Sequence, residues 1–257
     1  MSFKRKKTEE SALGTLSAPA ESLDRAGSIR RRLLAITLPL TALFYMSAAA
    51  LNPKGTDQLI TTTAIALKVL PIASKHSGEL FLSGSLTEIA LAGLALSYFA
   101  IATLVRHRSS TLATVAAIIG AIGAFCGIVT NVLVGINLAT VSTAHLTNLQ
   151  AAQFLTTSFN SGAGKTFLTV YAFSEFLAPI LMAIALWRSK LVSRWLSALF
   201  LVGSLLAEQT ASIGAVRVIA MMLLFIISMS LLAVQVWRSA SLSSPINHDN
   251  VEVQKSV

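Results

Sequence analysis

Six polar side chains interrupt runs that are otherwise apolar: Glu88, Asn131, Tyr171, Glu175, Glu208 and Arg217. Each run is long enough to form a membrane helix. A carboxyl or guanidinium group is costly in hydrocarbon, so residues of this kind mark ligand, proton or ion sites, or else hold helices together. Glu175 has a further neighbour in Pro179, four residues on. Proline has no N–H to offer the carbonyl of Glu175, and a break of that kind beside a carboxyl group is a common way for a membrane helix to line a site. At about 1.5 Å per residue, Glu88, Asn131, Glu175, Glu208 and Arg217 lie roughly 18–30 Å from the cytoplasmic ends of their helices. That places all five in the outer half of a core about 30 Å thick. The expectation is one shared pocket opening outward, with Glu175 and Glu88 in its wall and Arg217 as counter-charge.

Helix periodicity supports shared faces. Gly120, Ala124, Gly127, Asn131 and Gly135 fall on one side of a helix, as do Gly84, Glu88, Ala92 and Ala95. Ser204, Glu208 and Ala211 share a face, and Tyr171, Glu175 and Pro179 stack on another. A stripe of small residues lets a neighbouring helix approach closely. A purely structural reading stands beside the functional one. Glu208 and Arg217 flank a short outer turn and pair there, Glu88 is solvated near the surface, and the stripes are packing.

The elements that must carry these residues follow from composition. Of 257 residues, 54% are hydrophobic and 12% charged. A soluble domain carries about 25% charged residues. The charges are confined to the tails and short breaks, and mean hydropathy is +0.71. The reading is all-α: a polytopic membrane protein with six transmembrane helices in a bundle. The spans are expected at about 33–51, 81–105, 112–138, 166–187, 195–212 and 216–237, within a membrane domain covering 33–238. Residues 1–32 form a disordered basic tail and 239–257 a polar tail. Asp57–Leu70 reads as a short helix stopped by Pro71, and Ala139–Lys165 as a surface helix ending in the flexible stretch Asn160–Gly164. The apolar run Leu196–Trp237 is too long for one span and is broken near Ser212–Ala215, where Gly214 permits a turn. The triplet Arg30-Arg31-Arg32, the apolar run after it and Ala48-Ala49-Ala50 also imitate a cleaved secretory signal. The long polar lead and the later spans favour an uncleaved first span.

Direction comes from Trp187–Trp195, reading WRSKLVSRW. Tryptophan favours the membrane–water interface, and Lys and Arg accumulate on the cytoplasmic side. With both termini cytoplasmic, only Lys54, Lys68, Lys75, Lys165 and Arg217 fall outside, and the other fifteen of the twenty cations fall inside. Trp187, Trp195 and Trp237 then all lie at the inner interface beside an arginine. The formal charge of +9 is thereby accounted for without nucleic acid.

Several motifs lead nowhere. Ser161-Gly162-Ala163-Gly164-Lys165-Thr166 resembles the end of a P-loop, but Phe159 stands where the first glycine belongs. His76 and Glu79 are too few ligands for a metal, and His145 has no visible partner. The single cysteine, Cys126, allows no intrachain disulfide. No cofactor, metal site or catalytic motif is expected.

The stretch Leu186–Leu199, LWRSKLVSRWLSAL, together with Leu86-Thr87-Glu88, resembles a bacterial six-helix integral membrane family catalogued as domain of unknown function 4386. The likeness covers roughly Arg30–Arg238 and rests mainly on the cytoplasmic turn between spans four and five. Members carry an Arg and a Glu early in the third span. Thr114–Ile122 has neither, so this chain would be a divergent member. The resemblance implies six-span topology and no particular activity.

The function expected is that of a multi-pass plasma-membrane protein, non-enzymatic, that binds, senses or transports a small or lipid-like ligand through the outward pocket. Its partners are the lipid bilayer, that ligand, and a second copy or another membrane protein. Two alternatives stay open: a membrane-embedded enzyme using Glu175 or Glu88 as acid–base, and a structural or partner subunit with no ligand.

Overall fold

The computed structural model describes the backbone over 6–242, apart from 57, 145 and 209–214. It describes side chains over 27–239, apart from those positions and 106, 107, 208 and 215–221. Among the described residues every regular element is helical. They are α1 (Lys6–Leu51), α2 (Thr63–Lys75), α3 (Ser77–Val105), α4 (Arg108–Thr143), α5 (Asn148–Asn160), α6 (Gly162–Ser189), α7 (Arg194–Glu208) and α8 (Ala215–Leu242). A non-helical residue, Ser109, with φ −150° and ψ 40°, folds α3 back against α4. Within α4 the turn Val132–Ile136 is a π-helix.

Five helical stretches are long and apolar enough to cross a membrane: Gly27–Leu51, Ser77–Val105, Arg108–Thr143, Gly162–Ser189 and Met222–Ser239. Of the fifth expected span, 195–212, the described part is the apolar helix Arg194–Ala207, and 209–212 lie outside the described residues. The break expected near Ser212–Ala215 falls largely on 209–214, outside the described residues. The tail read as disordered over 1–32 is helical from Lys6. Ala, Leu, Glu, Lys and Arg are good helix formers, and extending a formed span requires no new nucleus. Of the polar tail 239–257, the part beyond Leu242 lies outside the described residues.

The long helices close into a ring in the order α1, α3, α4, α6, α7, α8 and back to α1. One contiguous core fills it, from Leu38 and Ala42 through Leu91, Ile101, Ala117, Met182 and Phe200 to Phe225 and Leu232. Close approach comes from missing side chains. A Cβ on Gly93 would collide with Thr41 of α1, one on Gly120 with the ring of Tyr98, and one on Gly123 with Ser174 of α6. Gly127 sits against Tyr171. The small-residue stripe of α4 is therefore a double seam, facing α3 and α6 at once. Hydroxyls add polar ties. Ser83 Oγ donates to the carbonyl of Ala48 at 2.8 Å, and the hydroxyls of Thr41 and Ser97 meet at 3.2 Å.

One end of the ring gathers the arginines and tryptophans. Arg32 stacks on Trp237 and Arg194 on Trp187, each with its guanidinium carbon 5.5 Å from the ring centroid. Arg108 Nη1 reaches the carbonyl of Ser189 at 3.4 Å. Trp195 is 85% exposed, and Trp187 and Trp237 are also exposed. The turn is tight: Lys190 ends α6 in the left-handed conformation at φ 57°, and Ser193 Oγ accepts from the N–H of Leu196 at 3.3 Å.

The opposite end carries α2 and α5, whose Val69, Leu70, Ala151 and Leu155 share one buried cluster with Ile60 of the preceding loop. Both begin on threonine caps. Thr62 Oγ1 accepts from the N–H of Ile65, and Thr147 forms a capping box with Gln150. Two expectations fail here. Pro71 does not stop α2, which continues to Lys75. The carbonyl of Leu67, which Pro71 cannot serve, lies on the exposed side of the helix, where a bend is tolerated. The stretch Asn160–Gly164 is not a flexible loop. Ser161 ends α5 and caps α6, its Oγ accepting from the N–H of Gly164 at 3.0 Å.

Candidate functional site

Half-way along the ring helices lies a cavity of about 20 Å³. Five helices contribute to its wall: Leu91, Leu94 and Tyr98 from α3, Gly120, Gly123 and Ala124 from α4, Tyr171, Ser174, Glu175 and Pro179 from α6, Ser204 from α7, and Phe225 from α8. The local causes are legible in the chain. Gly120 and Gly123 leave room beside Tyr98 and Ser174. Pro179, buried within α6, supplies no N–H to the carbonyl of Glu175. Tyr171, Glu175 and Pro179 then fall on one face, one turn apart.

The sixth helix of the ring adds a hydroxyl next to this wall. Tyr45 of α1 meets Tyr171 through their hydroxyl oxygens at 3.5 Å, a long contact for O–H···O. Tyr45 also packs edge-on against Phe225, with centroids 6.3 Å apart and planes at 81°.

Of the six residues singled out in the sequence, the structure brings two into this wall, Tyr171 and Glu175. Asn131 lies outside this wall, where its Nδ2 donates to the carbonyl of Gly84 at 2.9 Å and ties α4 to α3. The π-turn starts at the next residue. Glu88 is one turn outward of Leu91 and outside the cavity wall. Its Oε1 is screened from solvent and has no hydrogen-bond partner among the described residues. Glu208 lies in α7 and Arg217 in α8, on either side of 209–214, and their side chains, and any pairing between them, lie outside the described residues.

Sequence reasoning passed over Tyr45, Tyr98 and Ser174. Tyr98 had a signal, since an aromatic hydroxyl within a span needs a partner, but nothing local told which helix would face it. His76 Nδ1 and Glu79 Oε2 lie 3.1 Å apart, at hydrogen-bond distance, exposed at the joint between α2 and α3. Among the described residues no three His, Cys, Asp or Glu side chains gather as metal ligands would.

Chemically the arrangement offers one carboxyl group, two phenols and two serine hydroxyls around a space of molecular dimensions, deep in an apolar ring. Such a set can hold a proton, a water molecule or a small hydrogen-bonding group. No protein-family model, curated protein or solved structure matches this chain. The functional reading therefore rests on the chain's own chemistry.

Proposed function

We propose that this is a six-span protein of the plasma membrane, with both termini cytoplasmic, that binds, senses or transports a small ligand at the polar centre of its ring without covalent chemistry. The resemblance of the turn Leu186–Leu199 to the six-helix family named above belongs to this proposal. The observation that carries the reading is Glu175: a carboxyl group half-way along the apolar ring helices, in the wall of a cavity lined by five helices. A carboxyl placed there is costly and calls for a use. At about 20 Å³ the cavity takes nothing larger than water as it stands. A larger or lipid-like ligand requires the ring to open.

α7 supports the fifth span. It packs against α8 with Gly203 close to the backbone of Phe225, as in a helical hairpin. The belt of Arg32, Arg108, Arg194 and Trp237 at one end supports cytoplasmic termini. In a Cys126→Ser background, Arg188→Cys should react with a membrane-impermeant maleimide only after permeabilisation, and Gln153→Cys should react on intact cells. The reverse pattern would overturn the orientation.

A second reading has its own observation. Asn131 is committed to the carbonyl of Gly84, and most buried hydroxyls bond carbonyls of their own helices. That favours a structural or partner subunit whose polar groups only join helices. An acid–base enzyme draws less support, because Glu88 is outside the wall that contains Glu175. Glu175→Gln separates the first two. On the ligand reading, the variant reaches the membrane at wild-type abundance and fails to restore the phenotype of a strain lacking the gene. Full restoration at normal abundance would sink that reading.

A further inference from the structure

We propose that the central cavity is a binding site for ordered water, held between the hydroxyl of Ser204 on α7 and the Glu175–Pro179 break in α6. Size is the first argument. One water needs about 10–15 Å³ of such space, and the cavity offers about 20 Å³.

The second argument is Ser204. Most other buried hydroxyls of the ring donate to a carbonyl: Thr41 to Thr37, Ser83 to Ala48, Ser97 to Gly93, Thr130 to Cys126, Ser189 to Leu186 and Ser228 to Phe225. Ser204 does not. It is 8% exposed, its Oγ is buried with no hydrogen-bond partner among the described residues, and it lines the cavity. A helical serine ordinarily has the carbonyl three or four residues back within reach. A buried hydroxyl that does not use it calls for another partner.

The third argument is the Glu175–Pro179 break, which shares the cavity wall with Ser204. Pro179 brings no N–H to the carbonyl of Glu175, and ordered water is a general means by which backbone beside a membrane proline is satisfied. A carbonyl or carboxyl oxygen accepts more than one hydrogen bond. Water here accepts from Ser204 Oγ and donates to an oxygen of Glu175, with the phenols of Tyr98 and Tyr171 in the same wall. Two to four polar partners are what a buried water needs. Ser197, on the same helix, sharpens the case. Its Oγ is also buried without a partner among the described residues, yet it is not in the wall of this cavity.

X-ray radiolytic footprinting of the full chain in lipid nanodiscs reads this directly, because hydroxyl radicals formed from a bound water modify the side chains around it. Tyr98 and Phe225, in the wall, should be modified several-fold faster than Phe200, which is fully buried outside it. Ser204→Val removes the hydroxyl and fills space, and should bring both rates down to that of Phe200. Ser197→Val should leave them unchanged. Ser204→Ala serves if the valine variant does not fold, and should lower both rates. Wild-type rates at Tyr98 and Phe225 equal to that of Phe200 would overturn the proposal, as would unchanged rates in the Ser204 variants. The outcome needs no ligand, so it is independent of the complementation result for Glu175→Gln.

Discussion

The ring and the outer pair are both helix packings, built on opposite rules. In the ring, contact is made where side chains are missing. Gly93, Gly120, Gly123 and Gly127 each receive a Thr, Tyr or Ser side chain from the next helix. Lipid is as apolar as leucine, so burying leucine there gains little, and close packing with a few hydrogen bonds must hold the helices. In the outer pair, α2 and α5 meet through Val69, Leu70 and Leu155, and their ends are closed by Thr62 and Thr147. That is the pattern of helices in water, where apolar burial stabilises and helix ends need capping. The two regions thus hold their helices together by different means.

The largest test of this contrast is Gly123→Leu. Its side chain would enter the space of Ser174, and the variant should lose about 3 kcal/mol or more through forced separation of α4 and α6. Its thermal midpoint in detergent and its membrane abundance should both fall. Gly162→Ala, with open space around it, should do neither. If Gly123→Leu is as stable as wild type, the seam is not what holds the ring. Leu155→Ala comes next. It should cost about 2 kcal/mol, at the low end for a buried leucine because the outer pair is small. Hydrogen exchange should quicken in α2 and α5 and stay unchanged in α6. An equal change in both regions would mean that they fold as one unit. Thr147→Ala is the mildest. Loss of the capping box should cost about 1 kcal/mol, seen as faster exchange at Leu149 and Gln150 only.

How much of this could be read in advance differs between the regions. The long helices follow from hydropathy, and the gathering of Arg and Trp at one end follows from Trp187, Arg194 and Trp237. The pairing of Glu175 with Pro179 is a matter of spacing four residues apart. The stripe on α4 was visible, but its two-sided use was not. A helical period tells which residues share a face. It does not tell which helix faces them when every neighbour is equally apolar. Short helices are legible at Asp57–Leu70 and Ala139–Lys165, but not their bounds, Thr63–Lys75 and Asn148–Asn160, nor that they pack on each other. Pro71 then drew the boundary too early, since its cost depends on where the carbonyl it fails to serve happens to lie.

The candidate site divides in the same way. Composition alone determined that this chain belongs in a bilayer, that its ionisable residues within the spans are few, and that Glu175 sits beside a backbone break. Those are properties of residue type and spacing along one helix. Only the closed ring decided that Ser204 would line the same cavity as Glu175, that Tyr98 would fill the gap left by Gly120, and that Asn131 would be committed to Gly84 instead of the centre. Those meetings join residues far apart in the chain, and only the packing of six helices against one another sets their distances.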